Sequence, residues 1–257
     1  MPQRPFLDEF DSQLPVFAML HLSGDTAAEK LDLAKREIDV LWSEGVDAVI
    51  VENYFGDVDD VENVLRYLTE SAPEVRFGIN ILRQDWTAFE LARQFHALFI
   101  QLDSVAGHLP PDDDGTFAAR LAAEREQTTS HVLGGVRFKY QPYLSGRSLE
   151  EDLSLARARC GAVVVTGDGT GMETPPEKIE QFRRLLGDDF PLVVGAGVTP
   201  ANCVDQLAHA DAVIVGSYLK DTYTDTGTVD RGHVREFVRA IREVPSRRAL
   251  TRAANGA

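Results

Sequence analysis

The sequence predicts an α/β fold, a parallel eight-stranded (β/α)8 barrel, on three observations. Short apolar runs recur along the chain, each followed by a segment whose apolar residues have helical spacing. The runs are continuously apolar, the pattern of strands covered on both faces. The length, 257 residues, is close to the ~250 typical of one such barrel. An open doubly wound sheet fits eight strand–helix units less well. One domain is expected over residues 1–245, followed by a flexible basic tail from Ser246, SRRALTRAANGA.

The first strand is expected over Val16–Leu20, ending at His21. Leu31, Ala34, Ile38 and Leu41 form one helical face between Ala27 and Trp42, and Gly45 closes that helix. Strand two, Ala48–Val51, ends in Glu52-Asn53. Helix two is expected from about Asp57, with Asp57 as its N-cap, to about Thr69. Strand three, Phe77–Leu82, ends at Arg83, and Asp85 is expected to cap helix three, which runs to about His96. Strand four, Leu98–Leu102, ends at Asp103. The polar stretch Ser104–Gly115, with Pro110-Pro111 and Asp112-Asp113-Asp114, reads as a long loop. Helix four is expected from Thr116 to about Ser130, and strand five over Leu133–Tyr140 with Lys139 near its end.

Ser148 starts helix five, which stops near Cys160. Strand six, Ala162–Val165, leads into the loop TGDGTG at 166–171, and Pro175-Pro176 opens helix six. Strand seven, Leu192–Val194, meets Gly195 and Gly197. Thr199 is expected as N-cap and Pro200 as first residue of the helix that follows. Strand eight, Ala212–Val215, ends in Gly216-Ser217. A closing helix over Asp230–Glu243 carries Val234, Phe237, Val238 and Ile241 as its apolar stripe.

Composition narrows the partners. The formal net charge of −15 repels nucleic acid and anionic membrane alike, so neither is expected as a main partner. No apolar run approaches the ~18 residues of a membrane span, and MPQRPFLDEF lacks an apolar signal core. Cys160 and Cys203 follow no metal or disulfide spacing, which points to a reducing cytoplasm, with no metal and no cofactor expected. A second copy of the chain remains open as a partner.

Polar residues gather where the apolar runs stop, and in a barrel those ends share one rim, where active sites lie. Glu52 ends a strongly apolar strand. Desolvation there raises a carboxyl pKa and suits general acid/base work, unless Glu52 is paired with Lys139 or Arg83. Asp103 and Lys139 are candidate assistants. Lys139 is read as an anion ligand, a partner of Glu52 or, with a depressed pKa, a Schiff-base lysine. His21 is either a general base or a structural histidine. Asn53, Asn80, Arg83 and Asp168 are candidate substrate ligands, with Asn80 and Arg83 placed to clamp an anion.

Glycine-ended strands let backbone N–H groups approach a ligand. Thr166, Gly167, Gly195, Gly197, Gly216 and Ser217 are therefore the candidate phosphate site, at the loops where barrels commonly hold phosphate. The bland alternative is that these glycines only make tight turns. TGDGTG lacks the lysine and spacing of a P-loop and of a dinucleotide fingerprint. Asp112, Asp113 and Asp114 attract a divalent cation or simply form a solvated loop.

Taken together, these residues resemble the BtpA/SgcQ family. VEN at 51–53 with Gly56-Asp57 resembles that family's VEN-x-GD, and GINILRQD at 78–85 its GVNVLRND. Lys139, VVTGDGTG at 164–171, VVGAGVTPAN at 193–202 and VGSYLK at 215–220 match in order and spacing, so the likeness spans about Val16 to Ile241. It implies a barrel similar to the ribulose-phosphate-binding and tryptophan-synthase-α barrels. One family member is linked to photosystem I biogenesis and another to a sugar-utilisation gene set. The chain departs from the pattern: the segment after His21 is short, Gln101 and Asp103 replace arginine and asparagine, Tyr140 replaces histidine, and one residue is inserted at Tyr54-Phe55.

The expected function is acid/base catalysis on a phosphorylated sugar or nucleotide-like small molecule, by isomerisation, a lyase step or glycosidic-bond cleavage. The alternative is a non-catalytic binding or assembly protein that keeps the barrel and its anion site.

Overall fold

A computed structural model describes residues 4–247. Eight parallel strands close into a barrel: β1 (Val16–His21), β2 (Ala48–Glu52), β3 (Phe77–Asn80), β4 (Phe99–Ala106), β5 (His131–Val136), β6 (Ala162–Val165), β7 (Leu192–Val194) and β8 (Ala212–Val215), with β8 paired to β1. The helices alternate with them: α1 (Ala27–Ser43), α2 (Val58–Ser71), α3 (Asp85–Phe95), α4 (Pro111–Glu126), α5 (Leu149–Arg159), α6 (Pro176–Leu186), α7 (Cys203–Leu207) and α8 (Arg231–Glu243).

Side chains alternate across each strand. One set fills the barrel, including Phe17, Ile50, Phe99, Leu133, Val164, Val193 and Ile214. The other, including Leu20, Val51, Ile79, Val163, Val194 and Val213, packs beneath the helices. Reciprocal capping boxes start three helices, at Thr26 with Glu29, Asp57 with Asp60 and Ser148 with Glu151, so Asp57 is the N-cap expected. The amino-terminal mouth is closed by a 3₁₀ helix, Phe6–Glu9, whose Phe6 ring lies 5.7 Å from Phe17 and 5.5 Å from Phe99. No periodicity in the first ten residues announces that plug.

Gly78 faces the Phe99 ring, and a Cβ there would collide with it. Gly78→Ala is expected to lower stability by ~1–3 kcal/mol through overpacking, read from the midpoint of denaturant unfolding. An unchanged midpoint would mean the ring has room to move.

Several boundaries differ from the sequence expectation. β4 runs to Ala106, so Asp103 lies inside it, and the long loop after it shrinks to residues 107–110. Gly134 and Gly135 in β5 make this extension fit: Cβ atoms there would meet the Val105 side chain and the Asp103 carbonyl. The aspartates 112–114 therefore sit in the first turn of α4, where Asp114 pairs with Arg159 (2.8 Å) and Arg147 (3.0 Å). β5 stops at Val136, leaving Lys139 in the loop. Asp85 is the first residue of α3 and does not cap it; Gln84 holds the cap position. Thr199 is not the cap of α7. Asn202 precedes that helix and ties the preceding turn, accepting the Thr199 N–H (2.7 Å) and donating to the Gly197 carbonyl (3.0 Å). Ser246 is buried and Arg247 pairs with Asp211 (2.8 Å); the rest of the expected tail, 248–257, lies outside the described residues. Among the described residues no helix is long and apolar enough to cross a membrane.

Candidate active site

Strand register builds the site. His21 pairs in register with Glu52, and Glu52 with Asn80, so three neighbouring strands end in polar residues at one level. Each lies two residues beyond an inward position, and the period of two turns them into the barrel. On the opposite side, Gly195 and Gly216 occupy the same inward phase after Val193 and Ile214. A polar floor thus faces two positions without side chains, and the space between them is a cavity of about 710 Å³.

The floor is hydrogen-bonded. Asn80 Nδ2 donates to Glu52 Oε1 (3.1 Å) and to Asp103 Oδ1 (3.3 Å), so one amide holds two carboxyl groups. His21 Nε2 lies 3.5 Å from Glu52 Oε2. His21 Nδ1 lies 3.3 Å from the Asp225 carbonyl. A carbonyl only accepts, so Nδ1 carries the proton and Nε2 presents its lone pair to Glu52. The salt bridge from Glu52 to Lys139 or Arg83 weighed from the sequence is replaced by these contacts. Lys139 Nζ instead donates to Thr170 Oγ1 (3.5 Å).

Burial dominates the electrostatics. It pushes the Glu52 carboxyl up to about 8, with the Asp103 charge adding to it and Lys139 opposing. Burial pushes the His21 imidazole down to about 4, helped by the Lys220 charge and opposed by the Asp225 carbonyl. Asp103 is raised by burial, against the Asn80 hydrogen bond and Lys139. Asp85 is raised to about 6 by burial and then by Asp103. At neutral pH the pair at the floor is therefore a carboxylic acid beside a neutral imidazole.

These shifts set opposite pH slopes. Between pH 4.5 and about 8 the folded chain keeps a proton on Glu52 that the unfolded chain has released, so this contribution to stability falls as pH rises. Between pH 6.5 and about 4 the unfolded chain protonates His21 and the folded chain does not, so stability falls as pH falls. Glu52→Gln is expected to gain melting temperature relative to the parent chain as pH rises from 4.5 to 8. A constant difference across that window would mean the carboxyl titrates as it does in water.

The cavity is lined by His21, Glu52, Arg83, Asp103 and Lys139 and by Gly195, Gly197, Gly216 and Ser217. Asn80 lies behind it, holding the carboxyls. The remaining expected residues stand apart. Asn53 Oδ1 accepts the Leu82 N–H (2.7 Å) and so fixes the turn after β3. Thr166 is buried and its Oγ1 accepts the Lys139 N–H (2.9 Å). Gly167 is where the chain passes close to Glu173, and Asp168 is exposed, near Lys178. Gly197, with φ +73°, also has a packing reason: a Cβ would strike the backbone of Met172 and Glu173. Tyr54, Tyr223 and Asp225 reach the site without having been singled out as site residues from the sequence. Tyr54 Oη donates to Asp225 Oδ2 (2.8 Å) across 171 residues, a closeness no local pattern encodes.

A closed parallel barrel with a cavity at the carboxyl ends of its strands is the architecture of the TIM-barrel proteins. Residues 13–243 match the model of the BtpA family, and the chain belongs to that family. An uncharacterized protein of Pyrococcus horikoshii is 29% identical, over 84% of this chain and 89% of the relative. The photosystem I biogenesis protein BtpA of Synechocystis is 25% identical, over 91% and 90%. In structure, the chain resembles (S)-3-O-geranylgeranylglyceryl phosphate synthase from Thermoplasma acidophilum, solved with its substrate sn-glycerol-1-phosphate. The TM-score is 0.63 at 14% identity, covering 93% of this chain and 97% of that one, a likeness of fold.

Proposed function

We propose that this chain is an acid/base enzyme acting on a phosphorylated small molecule, a sugar phosphate or a nucleotide-like compound. The observation that carries the reading is the buried Glu52 carboxyl at the cavity floor, 3.5 Å from the Nε2 of His21, where burial favours its protonated form. A carboxylic acid kept neutral near pH 7 is poised to give a proton to a leaving or carbonyl oxygen. Asp103, tied through Asn80 to the same group, is the second carboxyl, suited to take a proton from water or substrate. Gly197, Gly216 and Ser217 offer backbone to a phosphate, the Gly195 N–H being taken by the Val165 carbonyl (2.8 Å), while Arg83 and Lys139 bring positive charge to the cavity. Thr166 fixes the backbone of Lys139.

Gln101 lines the same cavity, and its Oε1, buried in the wall, has no hydrogen-bond partner among the described residues. The fold relative that holds sn-glycerol-1-phosphate supports a phosphorylated ligand by analogy of fold only. Isomerisation, a lyase step and glycosidic-bond cleavage all use this equipment.

The test is a thermal-shift and turnover panel of phosphosugars and nucleotides with their unphosphorylated counterparts. Phosphorylated compounds should raise the melting temperature; at 100 times Kd the stabilisation is about 2.7 kcal/mol. No shift and no turnover with any of them would sink the reading. A non-catalytic assembly role is the second reading, favoured by the name of the Synechocystis relative. It would be upheld by partner capture in a pull-down without turnover of any compound in the panel.

A further inference from the structure

The mouth of the cavity displays large side chains, three of them aromatic, at backbone positions that disfavour them. Phe55, Arg83, Tyr140 and Tyr223 have left-handed φ values of 66°, 64°, 62° and 56°. They stand on four different loops, after β2, β3, β5 and β8. Arg83, Tyr140 and Tyr223 line the cavity, and Phe55 packs edge-on at 4.6 Å against Tyr54, which also lines it. Glycine or asparagine would hold such turns with less strain. Burial does not compensate, because Tyr140 is 75% exposed, Tyr223 54% and Phe55 48%. Four separate loops accept strain to place large side chains around one opening, and such strain clusters at ligand sites.

The rings are also braced. Tyr140 Oη accepts the Thr170 N–H (2.9 Å), Tyr223 stacks on His233 with centroids 4.2 Å apart, and Tyr54 is held by Asp225. A sugar phosphate alone would use the glycine loops and the polar floor and leave these rings facing water.

We propose that the rim binds the planar base of a nucleoside monophosphate, with the phosphate at the loops 195–197 and 216–217. This rests on the phosphorylated-ligand reading above and adds its second half. Tyrosine faces suit a base because stacking needs only a flat π surface, and the rings are already ordered. The cavity volume, about 710 Å³, lies in the range of small-molecule sites.

The test is calorimetric titration of the full chain with adenosine 5′-monophosphate, ribose 5-phosphate and adenosine. The monophosphate should bind about tenfold or more tightly than ribose 5-phosphate, the scale of one stacked base. Tyr140→Asn and Tyr223→Asn remove the rings while keeping a residue that tolerates left-handed φ, so both variants should melt no lower than the parent chain. Together they should bring the two phosphates to within about threefold of each other. Equal affinity of the parent chain for monophosphate and ribose 5-phosphate would overturn the rim and leave the phosphate reading standing. Adenosine binding as tightly as its monophosphate would overturn the phosphate seat instead. Variants that only dissociate a self-associated chain in sedimentation, with nucleotide affinity unchanged, would make the rim an interface between copies and overturn the proposal.

Discussion

Replacing Glu52 by glutamine is expected to cut turnover about a hundredfold or more, the scale of general acid–base catalysis, measured on the substrate that the panel identifies. Glutamine keeps the shape of the residue. Its Oε1 still accepts from Asn80 Nδ2, so the floor stays assembled while the titrating proton is lost. Binding should change much less than turnover, because the phosphate loops follow other strands, β7 and β8.

The pH profile supplies the sign. With the Glu52 carboxyl held up near 8, the competent acid is the protonated form, so the parent rate should fall as pH rises through about 8. A rate that climbs through pH 8 would make Glu52 a base. An unchanged rate in the glutamine variant, with a lowered melting temperature, would make Glu52 structural and remove it from the mechanism.

The second large effect lies beneath the loop that carries Asp225. Lys220 and Glu37 form a buried pair, with Nζ 2.8 Å and 3.0 Å from the two carboxylate oxygens and side chains 1% and 3% exposed. Glu37 Oε1 also accepts the Val229 N–H (2.9 Å), and Lys220 and Val229 bridge antiparallel. The pair therefore clamps both ends of the segment 221–228, whose Asp225 reaches His21 and Tyr54.

Lys220→Met should leave a buried carboxylate without its cation and lower stability by ~3–5 kcal/mol in denaturant unfolding. Adding Glu37→Gln removes the orphaned charge and keeps an acceptor for Val229, so the double variant should recover more than half of that loss. A loss below ~1 kcal/mol in the single variant, the size of an exposed pair, would mean water reaches the site.

Much of the fold was legible. Eight apolar runs each become a strand because a parallel strand covered on both faces has no polar face to show. The polar residue that ends such a run must lie at the rim, which is why His21, Glu52 and Asp103 were found and do line one cavity. The glycine ends of β7 and β8 were legible for the same reason. The extent of β4 was not, because the room for it comes from Gly134 and Gly135 on the neighbouring strand. Asp112–Asp114 looked like loop because the partners that hold Asp114, Arg147 and Arg159, come from beyond β5.

By itself, then, the sequence determined the barrel, its direction and the level at which polar residues gather. These follow from local periodicity, and each strand carries that information within a few residues. Tertiary structure alone decided the chemistry of the site. Asn80 joins Glu52 to Asp103, and Asp225, 204 residues from His21, decides which imidazole nitrogen faces Glu52. Whether Glu52 holds its proton depends on burial together with the charges of Asp103 and Lys139. A pKa sums fields and desolvation from every strand that closes around the group, so it exists only once the barrel has closed.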